Sequence, residues 1–88
     1  MNLIFTERAW DDYLWFQVYE RKLLKKINTL IKDIQREPYD GLGKPEALKS
    51  NLSGYWSRRI DSEHRLVYEV NDTHTEIILI SCRHHYQK

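Results

Sequence analysis

Cysteine, proline, glycine and net charge are all scarce in this chain, and each scarcity closes off a class of protein. Cys82 is the only cysteine, so no internal disulfide forms, no paired-cysteine metal knuckle exists, and a reducing compartment is the expected setting. Fourteen Lys and Arg against thirteen Asp and Glu leave a formal charge of +1, which excludes the basic coat of a histone-like protein and confines any polyanion contact to a local patch. With three glycines and two prolines beside 41% hydrophobic and 12% aromatic residues, the composition suits neither a disordered tail nor a collagen-like chain. No apolar run approaches the length that spans a bilayer. A secretion signal is also missing from the first fifteen positions, where Glu7, Asp11 and Asp12 stand in place of a basic start and an apolar run. A cytoplasmic location is therefore expected, and the glycosylation patterns Asn51-Leu52-Ser53 and Asn71-Asp72-Thr73 then have no consequence. Eighty-eight residues suffice for one core and not for two, which gives a single domain over 1–88.

What is present reads as a strand, two helices and then strands. Asn2-Leu3-Ile4-Phe5 is a short apolar run ending at Thr6, a suitable N-cap for a helix from Glu7 to about Tyr19. In that helix Trp10, Tyr13, Leu14 and Val18 recur at three- and four-residue steps, widened by Trp15 and Phe16, and are expected to face the core. The second helix has the clearest stripe, Leu23, Leu24, Ile27, Leu30, Ile31 and Ile34, flanked by lysines and stopping before Pro38. Burying six such side chains gains on the order of 10 kcal/mol, less than ordering the helix costs, so the stripe requires a covering sheet.

From Glu37 to Gly54 the periodicity lapses into a long connection with turn residues. Gly41-Leu42-Gly43-Lys44 is no phosphate loop, because the glycine spacing is wrong and Pro45 stands where Ser or Thr is needed. Strands follow at Tyr55 to Ile60, His64 to Val70 and Thr75 to about Arg83, joined as two hairpins. Ile77 to Ile80 is apolar throughout, which predicts a central strand buried on both faces, one of them by a partner. The fold class is α+β: two N-terminal helices packed on one face of a twisted, mainly antiparallel sheet.

Three places can carry chemistry. A three-residue loop at Asp61-Ser62-Glu63 sets Arg59 directly opposite Arg65, a like-charged pair that an anion would relieve; a four-residue loop sends them to opposite faces. The cluster Cys82-Arg83-His84-His85-Tyr86 offers a cation, two groups titrating near neutrality and an aromatic ring. If the chain stays extended, Arg83 and His85 share one face, and His84 and Tyr86 the other. Adjacent histidines raise the question of zinc, but no second ligand cluster accompanies them, and neither metal nor cofactor is expected. Glu46, between Lys44 and Lys49, is by itself an ordinary surface carboxylate.

Taken together, Lys44-Pro45-Glu46-Ala47-Leu48-Lys49, Asn51-Leu52-Ser53-Gly54-Tyr55-Trp56-Ser57-Arg58-Arg59-Ile60, Glu63-His64-Arg65-Leu66-Val67-Tyr68 and Cys82-Arg83-His84-His85-Tyr86 resemble the YoeB (Txe) toxins of the RelE superfamily, from bacterial type II toxin-antitoxin pairs. Trp10-Asp11-Asp12-Tyr13 and the Leu-Ile-Lys of residues 30–32 extend the likeness over nearly the whole chain. It departs from the pattern at His84, where relatives often have an aromatic residue, at Ser50, and in continuing to Gln87-Lys88.

The resemblance implies a RelE/YoeB-like microbial RNase fold and a metal-free endoribonuclease acting on mRNA in the A site of the 70S ribosome. It implies Glu46, Arg65, His85 and Tyr86 as catalytic residues and Lys49, Arg59 and Arg83 as substrate-binding cations. The partners it implies are a YefM/Axe-like antitoxin and a second copy in a homodimer, with no membrane contact and no DNA binding by the toxin alone. Trp15, Phe16 and the strand at Ile77–Ile80 are candidate interface residues. Two other functions fit the same fold: a ParE-like toxin that poisons a topoisomerase by binding, and a non-catalytic RNA-binding module, for which a carboxylate at Glu46 is a liability near phosphate.

Overall fold

The structure, a computed structural model, describes residues 1–85. β1 (Asn2–Phe5) hands over to α1 (Glu7–Tyr19) at Thr6. The Thr6 hydroxyl oxygen accepts the Ala9 amide at 3.1 Å and its proton goes to the Ile80 carbonyl at 3.0 Å, so one side chain caps the helix and ties it to the sheet. α1 stops where the Glu20 amide bonds Phe16, and α2 (Arg21–Arg36) starts at the next residue. Then come β2 (Glu46–Ala47), a short 3-10 turn at Ser50–Leu52, β3 (Trp56–Arg59), β4 (Arg65–Val70) and β5 (Glu76–Ser81). The five strands lie in the order β1-β5-β4-β3-β2, with β1 parallel to β5 and the other pairs antiparallel. The expected α+β architecture, its opening strand and both hairpins are present. Among the described residues no helix is long and apolar enough to cross a membrane.

The α2 stripe does what its periodicity predicts: Ile27, Leu30, Ile31 and Ile34 are buried, against Leu66, Tyr68, Ile77 and Leu79 from the sheet and Ala9 and Phe16 from α1. The α1 stripe does so only in part: Phe16 is buried and Tyr13 and Trp15 pack on the core. Trp10, Leu14 and Val18 are exposed, and the face turned inward carries Ala9 and Phe16 with Asp12 half-buried between them. Asp12 is held there because its carboxylate accepts the Cys82 amide at 3.0 Å. Phe16 is therefore fully buried and no candidate for an interface, while Trp15 is half-buried and packed on the core.

β5 is also covered on one side only. Ile77 and Leu79 face the helices and are buried, whereas Ile78 and Ile80 are half-exposed on the open face of the sheet. Ile80 is an extra residue between the pairs Val67↔Ser81 and Tyr68↔Leu79, a bulge that locally bends the strand.

The connection after α2 is not loose. Arg58 projects from β3 to the helix side and its guanidinium gathers the carbonyls of Glu37, Asp40 and Leu42 together with the Asp33 carboxylate. Gly41 and Gly43 both need positive φ, +127° and +77°. A Cβ at Gly41 would run into the Asp33 carboxylate, and one at Gly43 would sit 3.0 Å from both the Arg59 carbonyl and the Leu30 side chain. These glycines serve turn geometry and close packing.

Candidate active site

The β3–β4 hairpin settles the question the sequence left open. Ile60 donates to the His64 carbonyl at 3.0 Å and Arg59 pairs with Arg65, so the loop has the shorter form. Asp61 fixes it: its carboxylate accepts the Glu63 amide at 2.9 Å and the His64 amide at 2.7 Å. Burial pushes the Asp61 carboxyl up, but the two amides and nearby positive charge outweigh it and hold the group below its ordinary value.

Residues opposed across antiparallel strands point to the same face. Glu46 on β2 opposes Ser57, Ser57 opposes Val67, and Arg59 and Arg65 stand two residues further along the same face. By strand spacing the Cα atoms of Glu46 and Arg59 are roughly 8 Å apart and those of Glu46 and Arg65 roughly 12 Å, so their side chains can converge on one small group. Glu46 was expected in an open loop; it lies instead on a two-residue edge strand, exposed, with its backbone fixed in register. Lys49 is exposed where β2 gives way to the 3-10 turn.

Arg65 is half-buried, with Nη1 donating to the carbonyls of Asp61 at 2.6 Å and His64 at 3.1 Å. This anchors the guanidinium, and among the described residues Nη2 and Nε have no partner and can face an anion. Among the described residues neither Arg59 nor Arg65 has a carboxylate partner within 4.0 Å. Like charges directly opposite one another in a sheet are destabilising, so an anion bound between the two guanidinium groups would relieve their repulsion.

The C-terminal segment approaches the hairpin from the other side. The strand ends at Ser81, and His84 takes a left-handed conformation at φ +63°, which breaks the expected alternation over residues 83–85. His85 Nε2 comes to 3.4 Å from the Ser62 carbonyl, and His84 Nδ1 to 3.3 Å from the Glu63 carboxylate. The arginine pair thus lies between the Glu46 carboxylate on the sheet edge and the His85 imidazole at the turn. Arg83 is set apart: its guanidinium stacks on Trp15 of α1, 4.0 Å from the ring centroid, and its buried Nε has no partner among the described residues. Tyr86 lies outside the described residues.

Glu63, His64 and His84 bring ligand-type atoms within 4.8 Å of one another. Their hydrogen bonding argues against a metal there. His64 Nδ1 accepts the His84 amide at 2.7 Å, so a metal on Nδ1 takes away that acceptor, and a metal on Nε2 forces a proton onto Nδ1, facing the amide proton. An apolar cleft of about 540 Å³ opens elsewhere, lined by Leu3, Phe5, Trp10, Tyr13 and Ile31, away from Glu46, Arg59, Arg65 and His85.

Two groups of residues escaped the sequence reading. Arg58, Asp33 and Tyr68 form a buried polar network beneath the site, and Asp61 and His64 shape the turn that carries it. An Asx-type turn was readable at Asp61-Ser62-Glu63; the roles of Arg58 and His64 had no local signal.

Residues 5–86 match the family model described as the YoeB-like toxin of bacterial type II toxin-antitoxin system. The chain is 64% identical to Toxin YoeB of Synechocystis sp. over 100% of both chains. Among solved structures, a YoeB/ParE toxin from Agrobacterium tumefaciens superposes with a TM-score of 0.94 at 48% identity, covering 98% of this chain and 100% of that one. Two Staphylococcus aureus structures, a YoeB dimer and a heterotetrameric YoeB-YefM toxin-antitoxin complex, match with TM-scores of 0.88 and 0.86 at 50% and 52% identity, covering 98% of each chain.

Proposed function

The chain belongs to the YoeB-like toxins of bacterial type II toxin-antitoxin systems, and from that membership and the layout of the sheet face we propose that it is an endoribonuclease that cleaves mRNA in the ribosomal A site and so stops translation. The nucleophile is the ribose 2′-hydroxyl, already tethered beside the phosphorus it attacks, so no water has to be activated. Glu46 takes the 2′-hydroxyl proton as the O2′–P bond forms. Arg65 and Arg59, with Lys49 at the rim, hold the phosphate and offset the charge growing on its oxygens. His85, protonated, gives its proton to the 5′-oxygen as the P–O5′ bond breaks. The products are a 2′,3′-cyclic phosphate and a 5′-hydroxyl, and water can open the former to a 3′-phosphate. In this reading Tyr86 stacks on a nucleobase, and Arg83, committed to Trp15, is not assigned to the phosphate.

The observation that carries the proposal is the in-register Arg59–Arg65 pair, without carboxylate partners among the described residues, on the face it shares with Glu46. At a formal charge of +1 the protein has little generic attraction for free RNA, so the ribosome supplies the RNA geometry and much of the binding energy. The Staphylococcus aureus assemblies support two further parts of the proposal, a YefM-like antitoxin partner and a homodimer. The proposed location is the cytoplasm, with no membrane contact and no DNA binding by the toxin alone.

The test is to map cut positions on translated mRNA with the wild type and Glu46→Gln side by side, and in a parallel arm with toxin treated with EDTA and desalted before it meets the ribosomes. Cuts confined to the A-site codon, lost in Glu46→Gln and indifferent to EDTA, are expected. Equal cutting by the variant rejects the base, equal rates on naked mRNA reject ribosome dependence, and intact mRNA beside a poisoned topoisomerase selects the ParE-like alternative.

A further inference from the structure

His64 touches the hairpin, the helix layer and the C-terminal segment together. It is 4% exposed, edge-on to Phe16 at 5.0 Å and tilted against Trp15 at 6.2 Å between ring centroids. Its own amide bonds Asp61 at 2.7 Å, and its carbonyl accepts from Ile60 at 3.0 Å and from the Arg65 guanidinium at 3.1 Å. The backbone of this residue therefore builds the turn that carries the arginine pair.

Its ring does something different. An amide can only donate, so the His84 N–H at 2.7 Å from Nδ1 requires a lone pair there. In the neutral ring the proton then sits on Nε2, towards Glu63 at 3.8 Å. The His84 carbonyl in turn accepts the Arg65 amide at 3.0 Å. One residue, His84, is thereby gripped through both of its flanking peptide units, by the ring of His64 at its N–H and by the backbone of Arg65 at its carbonyl. It is also held at φ +63°, a conformation that a residue with a Cβ keeps only when surrounding bonds over-determine it. The next residue is His85, whose Nε2 stands 3.4 Å from the Ser62 carbonyl.

We propose that His64 is a positioning residue: its Nδ1 latches the His84 amide, keeps that residue in its left-handed turn, and so aims the His85 imidazole at the phosphate gripped by Arg65. The latch builds on the reading of His85 as the proton donor and adds the device that places it. Without the acceptor, His84 is released from its strained turn and His85 loses its bearing, while the sheet that holds Glu46, Arg59 and Arg65 stays as it was.

The experiment joins a measurement on the wild type to a pair of substitutions. A through-bond ¹⁵N–¹⁵N coupling between the His84 amide and His64 Nδ1 is expected at a pH where the ring is neutral; its absence overturns the latch whatever the activity. His64→Leu removes the acceptor, and His64→Asn restores one, since Oδ1 falls close to the place of Nδ1. In His64→Leu the His84 amide should exchange faster while β4 and β5 amides keep their protection, and the turnover number on ribosome-bound mRNA should fall roughly 10- to 100-fold with KM little changed. His64→Asn should recover both. In a His85→Ala background, His64→Leu should cost less than about 2-fold, because it acts through the imidazole already removed. Full activity in His64→Leu, or His64→Asn no better than His64→Leu, overturns the proposal. If His64→Leu does not fold, the wild-type coupling and the His64→Asn rate decide. Coupling and exchange need no RNA, so a protein that cuts no mRNA sinks the nuclease reading and still leaves the latch decidable.

Discussion

Replacing Arg58 by Met should cost this protein a large part of its stability, and the size follows from the geometry. Arg58 is 0% exposed. Its Nη1 donates to Asp33 at 2.5 Å and the Leu42 carbonyl at 2.9 Å, its Nη2 to the carbonyls of Glu37 at 2.7 Å and Asp40 at 3.2 Å, and its Nε to the Tyr68 hydroxyl at 3.2 Å. All five donors of the fork are engaged. Met fills similar space but leaves a half-buried carboxylate short of a partner and three carbonyls without a donor. Breaking a buried pair in this way costs about 3–5 kcal/mol, against a total of roughly 4–13 kcal/mol for a chain of this length. At about 5 °C per kcal/mol for a domain this small, the Tm should drop by about 15–25 °C. Urea denaturation with an unchanged m-value is the check. A Tm loss under about 5 °C would mean that water and loop relaxation satisfy these groups, and the reasoning would fail.

The same variant should change the acid limb. The Leu42 amide, Arg58 and Arg36 hold the Asp33 carboxyl down, from an ordinary 3.8 to about 2. A depressed carboxylate contributes stability that is fully present above its unfolded pKa and is lost as pH falls through the folded one. Wild-type stability should therefore decline between about pH 4 and pH 2, and that slope should flatten in Arg58→Met as Asp33 moves back towards its ordinary value.

Glu46→Ala and His85→Ala should each lower the cleavage rate roughly 10²- to 10⁴-fold, while chemical denaturation shows stability within about 1 kcal/mol of wild type; a variant that loses activity only as it unfolds would make either residue structural. Gly43→Ala, at φ +77° with a Cβ 3.0 Å from the Arg59 carbonyl, should destabilise by about 1–3 kcal/mol, and an unchanged Tm would show that the turn can give way. Burial, with the Asp12 charge, pushes the Cys82 thiol up to about 12, so at pH 8 iodoacetamide should label it on the order of 10³-fold more slowly than in the urea-unfolded chain; equal rates would contradict the burial.

Most of the fold was legible because long elements carry strong periodic signals. Leu23 through Ile34 could only be one face of a helix, and Thr6 marked where β1 ends. α1 misled in part, although Phe16, Tyr13 and Trp15 do reach the core, because the rest of its inward face is written in weak letters. Ala9 has little apolar surface and Asp12 is charged, yet the first packs without a gap and the second accepts the Cys82 amide. The aromatic Trp10 and the aliphatic Val18 carried the hydrophobic signal and are exposed. β2 is two residues long, too short for any period, so Glu46 looked like part of a loop. The apolar run Ile77–Ile80 gave a central strand correctly, and its second face, half-exposed in the single chain, is the one the sequence left for a partner to cover.

The site was legible as a set of residues and not as a register. Arg58 and Arg59 are chemically identical neighbours, and nothing local says which belongs to the core. The sheet decides through alternation. Arg58 opposes Leu66, which is fully buried, and Arg59 opposes Arg65 on the open face. A slip of one residue in β3 would turn Arg59 towards Asp33 and the loop carbonyls and set Arg58 on the open face, with the chain nearly unchanged in composition on either side. What forbids the slip is Asp61, which holds the amides of Glu63 and His64 and so fixes the loop length, together with the Gly43 carbonyl that accepts the Arg59 amide at 2.7 Å. Because one register fills the core clamp with Arg58 and sets Arg59 on the open face, stability and the proposed phosphate site are specified by the same turn. A substitution at Asp61 should therefore disturb both together, even though its side chain belongs to neither.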